Sequence, residues 1–390
     1  MNVLIRAPLL SISGYGVHSR QIFSFLDETS VADIKKETQV VNWGHTTWLI
    51  NPDLENGIVG KIMESTSRSE AINDISFQVQ LPDEWDPNLA RKNVGVSAVV
   101  ETDRCNPEWI NACNRMDAII VPSEHAKLCL HRSGDVKTKI YVIPEWYHVE
   151  IEKPLTSENH FENMEFESKF NFLAISQING HNSETDRKNI FNTIKWFCEA
   201  FKDNKDVGLV LKTNSGRGTR IDRKITKNIL SQVLKEVRPG QFPRVHFIHG
   251  NLTNDEVCGL YRNKSIKCLI NLTRGEGFGL PILEAAASDL PVMVTNWSAH
   301  MEFLSLGKSI NIDYDLVNIS DDKVDNRIFV SGAKWANPSE SDFKKKIHKF
   351  YNKPQIPKVW ACDLGEKIRC EFNKSSIIKK YEEVLLEIME

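Results

Sequence analysis

The residues with the clearest chemical potential lie at positions 271–284, which read Asn-Leu-Thr-Arg-Gly-Glu-Gly-Phe-Gly-Leu-Pro-Ile-Leu-Glu. The pattern predicts a buried strand, a loop with glycine at every second position, and a helix with Pro281 in its first turn. Unshielded backbone N–H groups and the positive end of a helix favour an anion or a ring of hydroxyls. Glu276 lies in the loop. Glu284 lies about one turn into the helix, where it either accepts hydrogen bonds from a ribose diol or is an ordinary solvated helix residue.

A second charged segment, Asp-Arg-Lys-Asn at 186–189, precedes a predicted helix. Arg187 and Lys188 at a helix start oppose the helix dipole, which is unfavourable unless an anion compensates. Lys212 ends the next apolar strand and should reach the same edge of the sheet, although such a lysine often only extends its amine into solvent. These cations predict a diphosphate site.

A glycine-containing loop also follows the first predicted strand. Gly14, Tyr15 and Gly16 open a helix there, with a spacing near the dinucleotide-binding fingerprint but without its third glycine. The next predicted strand, at 38–44, ends without the acidic residue that would bind an adenosine ribose. An NAD-dependent oxidoreductase is therefore disfavoured.

Glu101 and Asp103 follow a predicted strand at 97–100. One of them could hydrogen-bond a hydroxyl of a ligand, or Asp103 could cap the following helix. His18 and His125 are interpreted as surface histidines.

The elements that must position these residues alternate between apolar strands and helical stretches, first over residues 1–145 and again from 170. This alternation predicts an α/β protein with two doubly wound, Rossmann-like domains. The predicted strands lie at 3–5, 40–41, 97–100, 118–121, 140–143, 172–175, 208–212, 245–248, 268–271 and 292–295. The predicted divisions are an N-terminal domain (1–148), an acidic linker or excursion (149–169), a second domain (170–370) and a C-terminal helix (371–390).

Composition limits the possible partners. The 49 basic and 52 acidic residues give a formal net charge of −3, so no whole-surface attraction to nucleic acid or acidic lipid is expected. Eight cysteines without a Cys-x-x-Cys pair indicate reduced thiols. With no long apolar run, a soluble, cytoplasmic protein is expected. A basic cluster at 217–227 is interpreted as a solvated helix face rather than a nucleic-acid site, and the Asp313/Asp315 pair as a loop rather than a metal site.

Positions 276–284 resemble the signature of the retaining, nucleotide-sugar-dependent glycosyltransferases of family 4: two Glu residues around a Gly-Phe-Gly-Leu-Pro core. The resemblance implies that Glu276 holds the donor sugar and that Glu284 binds the ribose. The core residues expected to share in donor binding are Gly277, Phe278, Gly279 and Leu280.

The resemblance also implies roles for the cations and for the first loop. Arg187 and Lys212 would clamp the diphosphate and act in catalysis with Glu276, and Lys188 would have a smaller share. The loop at Gly14–Gly16 would reach the donor phosphates and the acceptor.

The family has the GT-B architecture, in which two Rossmann-like domains face a central cleft and the C-terminal helix crosses back to the first domain. The resemblance implies that the N-terminal domain (1–148) carries the acceptor and that the second domain (170–370) carries the donor. Glu101 or Asp103 could then orient the acceptor hydroxyl. The implied activity is transfer of a sugar from a nucleotide-diphosphate sugar to a hydroxyl acceptor, such as a glycan or a lipid-linked saccharide, with retention of configuration. No metal or other cofactor is expected, and no nucleophile is assigned. Peripheral membrane contact remains open. The alternatives are a nucleic-acid-modifying glycosyltransferase and an inactive nucleotide-sugar-binding protein.

Overall fold

The computed structural model describes residues 1–66, 72–214 and 216–390. The chain forms two compact units. The first contains Met1–Trp146, Asp325–Ala333 and Lys374–Glu390, and the second contains Tyr147–Val324 and Lys334–Asn373.

The first unit is a six-stranded parallel sheet with flanking helices, in the strand order β2-β1-β3-β4-β5-β6. Its strands are β1 (Asn2–Ala7), β2 (Lys35–Val40), β3 (Asn73–Val79), β4 (Ala90–Val96), β5 (Ala118–Val121) and β6 (Ile140–Val142). Its helices are α1 (Gly14–Glu28), α2 (Ile58–Glu64), α3 (Glu108–Cys113) and α4 (Glu124–Ser133). Apolar side chains of the strands are buried because helices cover the sheet.

One strand prediction in this unit was wrong, and two strands were not predicted. Residues 97–100 follow the end of β4 and do not form a strand. Val99 has a φ of +58°, a conformation that a β-branched residue in a strand does not adopt. Strands β3 and β4 were not predicted, and in β3 polar residues interrupt the apolar pattern. These polar side chains are buried but satisfied: Ser76 Oγ donates to Asn93 Oδ1 at 2.8 Å, and Gln78 Nε2 donates to the Asp86 carbonyl at 2.7 Å.

The second unit is also built on a six-stranded parallel sheet, in the order β12-β11-β10-β7-β8-β9. Its strands are β7 (Phe170–Gln177), β8 (Val207–Asn214), β9 (Arg244–Ile248), β10 (Ile266–Asn271), β11 (Val292–Thr295) and β12 (Ile310–Ile312), followed by an antiparallel pair, β13 (Tyr314–Asn318) and β14 (Lys334–Pro338). Its helices are α5 (Ile190–Ala200), α6 (Arg220–Val237), α7 (Asn254–Arg262), α8 (Leu280–Ala287), α9 (Met301–Leu304), α10 (Glu340–Asn352) and α11 (Gln355–Glu371). Two apolar clusters form the core of this unit.

The last helix, α12 (Lys374–Met389), belongs to the first unit. Tyr381 stacks on Phe25 with ring centroids 5.0 Å apart, and its hydroxyl lies 3.1 Å from Nε2 of His18. The interpretation of His18 as a surface residue was therefore wrong. It is 2% exposed, and burial lowers its pKa to about 4. His125 is half-buried.

Two segments lie elsewhere than predicted. The acidic segment 149–169 belongs to the second unit. There Arg262 donates to the carbonyls of Ile151 and Lys153, and Asn159 donates to Asp255.

Residues Asp325–Ala333, expected in the donor domain, belong to the first unit. Arg327 pairs with Asp83 and Glu84 at 2.7 and 2.8 Å. These ion pairs explain why the segment belongs to the first unit. Among the described residues, no helix is both long and apolar enough to cross a bilayer. All eight cysteines lie in the described residues and none forms a disulfide, and Cys362 and Cys370 are exposed.

Candidate functional site

The predicted strand–loop–helix arrangement is present as β10, residues 272–279 and α8. Gly279 has a φ of +100°, and a Cβ there would lie 3.1 Å from Cβ of His300, so backbone conformation and space both require glycine. Phe278 is buried and packs against Phe303, with ring centroids 5.5 Å apart. These contacts fix the loop where it enters α8.

Glu276 meets both cations that precede α5. Lys188 Nζ donates to Oε1 and Oε2 of Glu276 at 2.7 and 2.5 Å, and Arg187 Nη1 lies 3.7 Å from Oε2. Arg187 Nη1 also donates to the Gly275 carbonyl at 2.7 Å. Burial raises the pKa of Glu276, but Lys188 and Arg187 outweigh burial and hold that pKa below its ordinary value. Glu276 is therefore ionised at neutral pH.

The backbone of the cationic segment is held by Asp186. Its carboxylate accepts from the amide N–H of Ile190 at 2.6 Å and from that of Lys188 at 3.2 Å. Asn189 has a φ of +56°, a conformation that Asn tolerates better than most residues. The Arg274 amide donates to the Arg187 carbonyl at 2.8 Å. The loops after β7 and β10 are thus joined by backbone as well as side-chain contacts.

Sequence reasoning missed two residues that support Glu276 from the other side. The Glu276 amide donates to Ser298 Oγ at 2.9 Å, and Ser298 Oγ lies 3.3 Å from Nδ1 of His300. His300 Nε2 donates to the Thr295 carbonyl at 2.7 Å, and burial lowers the pKa of His300. The neutral ring then accepts from Ser298 at Nδ1. The positive φ of Ser298, +87°, has no sequence signal, because a glycine would be expected there.

Glu284 lies in α8 with two neighbours that were also missed. Tyr261 OH donates to Oε2 of Glu284 at 3.1 Å, and Nε2 of His148 lies 3.7 Å from Oε1. The Glu284 side chain is only 13% exposed, and burial raises its pKa. Glu284 is thus a largely buried carboxylate that contacts Tyr261 and lies near His148, and it is not a solvated helix residue.

Lys212 lies in β8, the strand next to β7, and pairs in register with Ile175. Its polar contact is with Asn214 Oδ1 at 3.5 Å, so the structure does not bring it into contact with Arg187 or Glu276. Burial lowers the pKa of Lys212 to about 8. Part of the Lys212 population is therefore neutral in mildly alkaline solution.

The first unit holds the remaining candidates. Ser13 caps α1 by accepting from the Gly16 amide at 3.0 Å, and a Cβ on Gly16 would lie 1.9 Å from the Ser11 carbonyl oxygen. Glycine is thus required at 16, whereas a Cβ on Gly14 would meet nothing within 4 Å. Tyr15 is fixed between Ser97, whose Oγ lies 2.9 Å from the Tyr15 hydroxyl, and the stacked ring of Trp43.

Glu101 and Asp103 lie in the bend after β4. Burial raises the pKa of Tyr15, and the charge of Glu101 adds to this. Asp103 is buried, with Oδ2 3.6 Å from Arg104. Asp103 does not cap α3, whose N-cap is Pro107.

The structure also shows where the basic cluster at 217–227 and the Asp313/Asp315 pair lie. Arg217 and the cationic side chains of α6 are exposed, in agreement with a solvated helix face. The interpretation of residues 313–315 as a loop was wrong in part, because Asp315 lies in β13 opposite Asn337. Asp313 lies 3.6 Å from Nζ of Lys346. Over the described ranges, no group of three or more His, Cys, Asp or Glu side chains is arranged to hold a metal ion.

A scan against protein-family models gives no match, and a search of curated protein sequences gives no significant one. Solved structures match over the full chain. A sucrose-phosphate synthase from Thermosynechococcus elongatus has a TM-score of 0.66 at 11% identity and covers 100% of this chain and 99% of its own. A glycosyltransferase from Rickettsia africae has a TM-score of 0.65 at 13% identity, with coverages of 100% and 98%. HepE from Anabaena, solved with UDP and glucose, has a TM-score of 0.62 at 13% identity, with coverages of 99% and 100%.

At these identities the likeness establishes the fold alone. The chain has two parallel six-stranded sheets with flanking helices, the α/β architecture of GT-B glycosyltransferases.

Proposed function

We propose that this protein is a glycosyltransferase that moves a sugar from a nucleotide-diphosphate sugar to a hydroxyl acceptor, with retention of configuration and without a metal. The observation that carries the proposal is the contact of Glu276 with Lys188 and Arg187 in the loop that opens α8, eight positions before Glu284. These contacts place two cations and a carboxylate next to the start of α8, at the carboxyl edge of a parallel sheet. Ligands of such sheets bind at this edge.

Each end of this site suits one part of a nucleotide sugar. Glu284 would accept hydrogen bonds from the ribose hydroxyls. Glu276, kept ionised by Lys188, has acceptor positions left for the hydroxyls of the sugar. The amides of residues 277–279 at the start of α8 add donors. The presence of UDP and glucose in the Anabaena HepE structure supports this assignment.

The second unit would stabilise the departing diphosphate. When the glycosidic bond to phosphate breaks, negative charge grows on the leaving oxygen, and fixed cations lower the energy of that transition state. Arg187 is rigidly placed for this role by the Gly275 carbonyl. Lys212 would supply a second cation.

The first unit would carry the acceptor. Its candidate residues are Tyr15, held by Ser97 and Trp43, and Glu101, whose charge raises the pKa of Tyr15. A carboxylate such as that of Glu101 can orient a hydroxyl by hydrogen bonding. A saccharide or glycolipid acceptor fits this role.

A thermal-stabilisation screen tests the proposal, because a ligand that binds only the native state raises the melting temperature. Nucleoside diphosphates and their sugars should stabilise the wild type, and Glu284→Ala should lose the response. Stabilisation by NAD, or by duplex DNA in a salt-dependent way, in place of nucleotide sugars would contradict the proposal.

A further inference from the structure

The carboxylate of Glu284 has a second neighbour whose role neither the sequence nor the family resemblance supplies. Nε2 of His148 lies 3.7 Å from Oε1 of Glu284, while Tyr261 OH donates to Oε2 at 3.1 Å. The side chains of His148 and Glu284 are 14% and 13% exposed. Tyr261 of α7 thus hydrogen-bonds one oxygen of the Glu284 carboxylate, and His148, which follows Tyr147, lies close to the other.

Charged and titratable groups of its own segment, of α7 and of α8 face His148. Glu150, on its own segment, lies 3.4 Å from Nδ1. Cys258 of α7 lies 4.0 Å from Nδ1, and Glu284 of α8 faces Nε2. Burial lowers the pKa of His148, but the Glu284 carboxylate, with help from Cys258 and Glu150, raises it to about 10. The ring is therefore an imidazolium at neutral pH.

The imidazolium acts on Glu284 and not directly on a ligand. Nε2 of His148 is shielded from solvent and has no hydrogen-bond partner in the described part of the chain. The separation from Oε1 is longer than a hydrogen bond, so the interaction is mainly electrostatic. Burial alone would favour a protonated Glu284, and the charge of His148 opposes that protonation.

We propose that His148 is a positioning residue of the nucleotide site, which keeps the Glu284 carboxylate ionised and oriented towards the ribose while Tyr261 fixes its other oxygen. This inference rests on the proposed function, because it assumes that Glu284 binds the nucleotide. If His148 has this role, nucleotide affinity should depend on pH only when the positive charge of His148 is removed.

The test is calorimetric titration of UDP into wild type, His148→Gln and His148→Lys between pH 6 and 7.5, below the pH at which Lys212 loses most of its charge. Wild-type affinity should change little over this range. In His148→Gln the pKa of Glu284 should rise further, so affinity should fall about tenfold at pH 6.5 and recover as pH increases. His148→Lys keeps a cation and should restore most of the affinity at low pH. His160→Gln, an exposed histidine of the same unit, is the control and should behave as wild type.

The outcomes separate this inference from the proposed function. If wild type bound no nucleotide, the proposed function would fail. If wild type bound UDP and His148→Gln either kept its affinity or lost it equally at every pH, only the positioning role would be overturned.

If His148→Gln did not fold, Glu284→Gln would decide the question, because the interaction between the two charges is reciprocal. In an NMR titration the imidazole of His148 should have a lower pKa in Glu284→Gln than in wild type. An unchanged pKa would overturn the proposal.

Discussion

Lys188 Nζ donates to both carboxylate oxygens of Glu276, at 2.7 Å to Oε1 and 2.5 Å to Oε2. The two side chains are 18% and 7% exposed, so this ion pair is largely removed from water. It joins the loop after β7 to the loop after β10, and Arg187 lies beside it. The charged residues assigned to different parts of the donor are therefore one coupled group.

Lys188→Met should destabilise the second unit because it leaves the buried Glu276 carboxylate with Arg187 alone. We expect a loss of about 3 kcal/mol at neutral pH, measured by denaturant unfolding. Since the pKa of Glu276 is held below its ordinary value, the pair contributes stability above the normal carboxyl range and loses it as pH falls through the lowered pKa.

Two controls accompany that experiment. Lys169→Met breaks an exposed pair with Asp206 and should cost less than about 1 kcal/mol. The double variant Lys188→Met/Glu276→Gln should recover much of the loss, because no buried charge remains unpaired. Equal stability of Lys188→Met and wild type would show that the pair is not coupled to folding.

Replacement of Arg187 or Lys212 by Ala should lower donor hydrolysis or transfer by about a hundredfold, the scale of removing one preorganised group that stabilises developing charge. Lys224→Ala, on the exposed face of α6, serves as the matched control. A rate within twofold of wild type for folded Lys212→Ala would remove Lys212 from the site.

Donor affinity should weaken as pH rises through about 8, since burial lowers the pKa of Lys212 to about 8 and the amine is charged only below that value. Lys212→Arg should flatten the profile, because an Arg side chain stays protonated. Titration of UDP between pH 6.5 and 9 measures both. The interpretation would be wrong if wild type and Lys212→Arg gave the same slope.

Chelation with EDTA should leave the rate nearly unchanged, because Arg187, Lys188 and Lys212 supply positive charge for the diphosphate. Loss of activity with EDTA, restored by Mn²⁺ or Mg²⁺, would contradict this prediction. Asp313 and Asp315 would then be the candidate metal ligands. Asp313→Asn should then lose the restoration.

Local patterns made much of the fold predictable. Continuous apolar runs identify strands such as β8 and β10, since a buried parallel strand needs apolar residues on both faces. Gly279 and Pro281 identify the start of α8 by backbone requirements alone. Strand β3 was missed because the hydrogen bonds that satisfy Ser76 and Gln78 come from residues outside the strand.

The site was less predictable because its supporting contacts are tertiary. Glu276 and Lys188 were both nominated, but for different parts of the ligand, and no local pattern shows that residues 88 positions apart pair with each other. Ser298 and His148 gave no signal, because a lone hydroxyl or imidazole acquires its role only from the neighbours that folding supplies.

The most direct test of the donor site is calorimetric titration of UDP and UDP-glucose into wild type, Glu276→Ala and Glu284→Ala. Wild type should bind both ligands. Glu284→Ala should weaken both by the roughly 1.5 to 3 kcal/mol of a charge-assisted hydrogen bond, because ribose is common to both. Glu276→Ala should leave UDP affinity nearly intact and weaken only UDP-glucose, since its partner hydroxyls belong to the sugar. Equal loss of UDP affinity in both variants, or no binding of either ligand by wild type, would contradict the account.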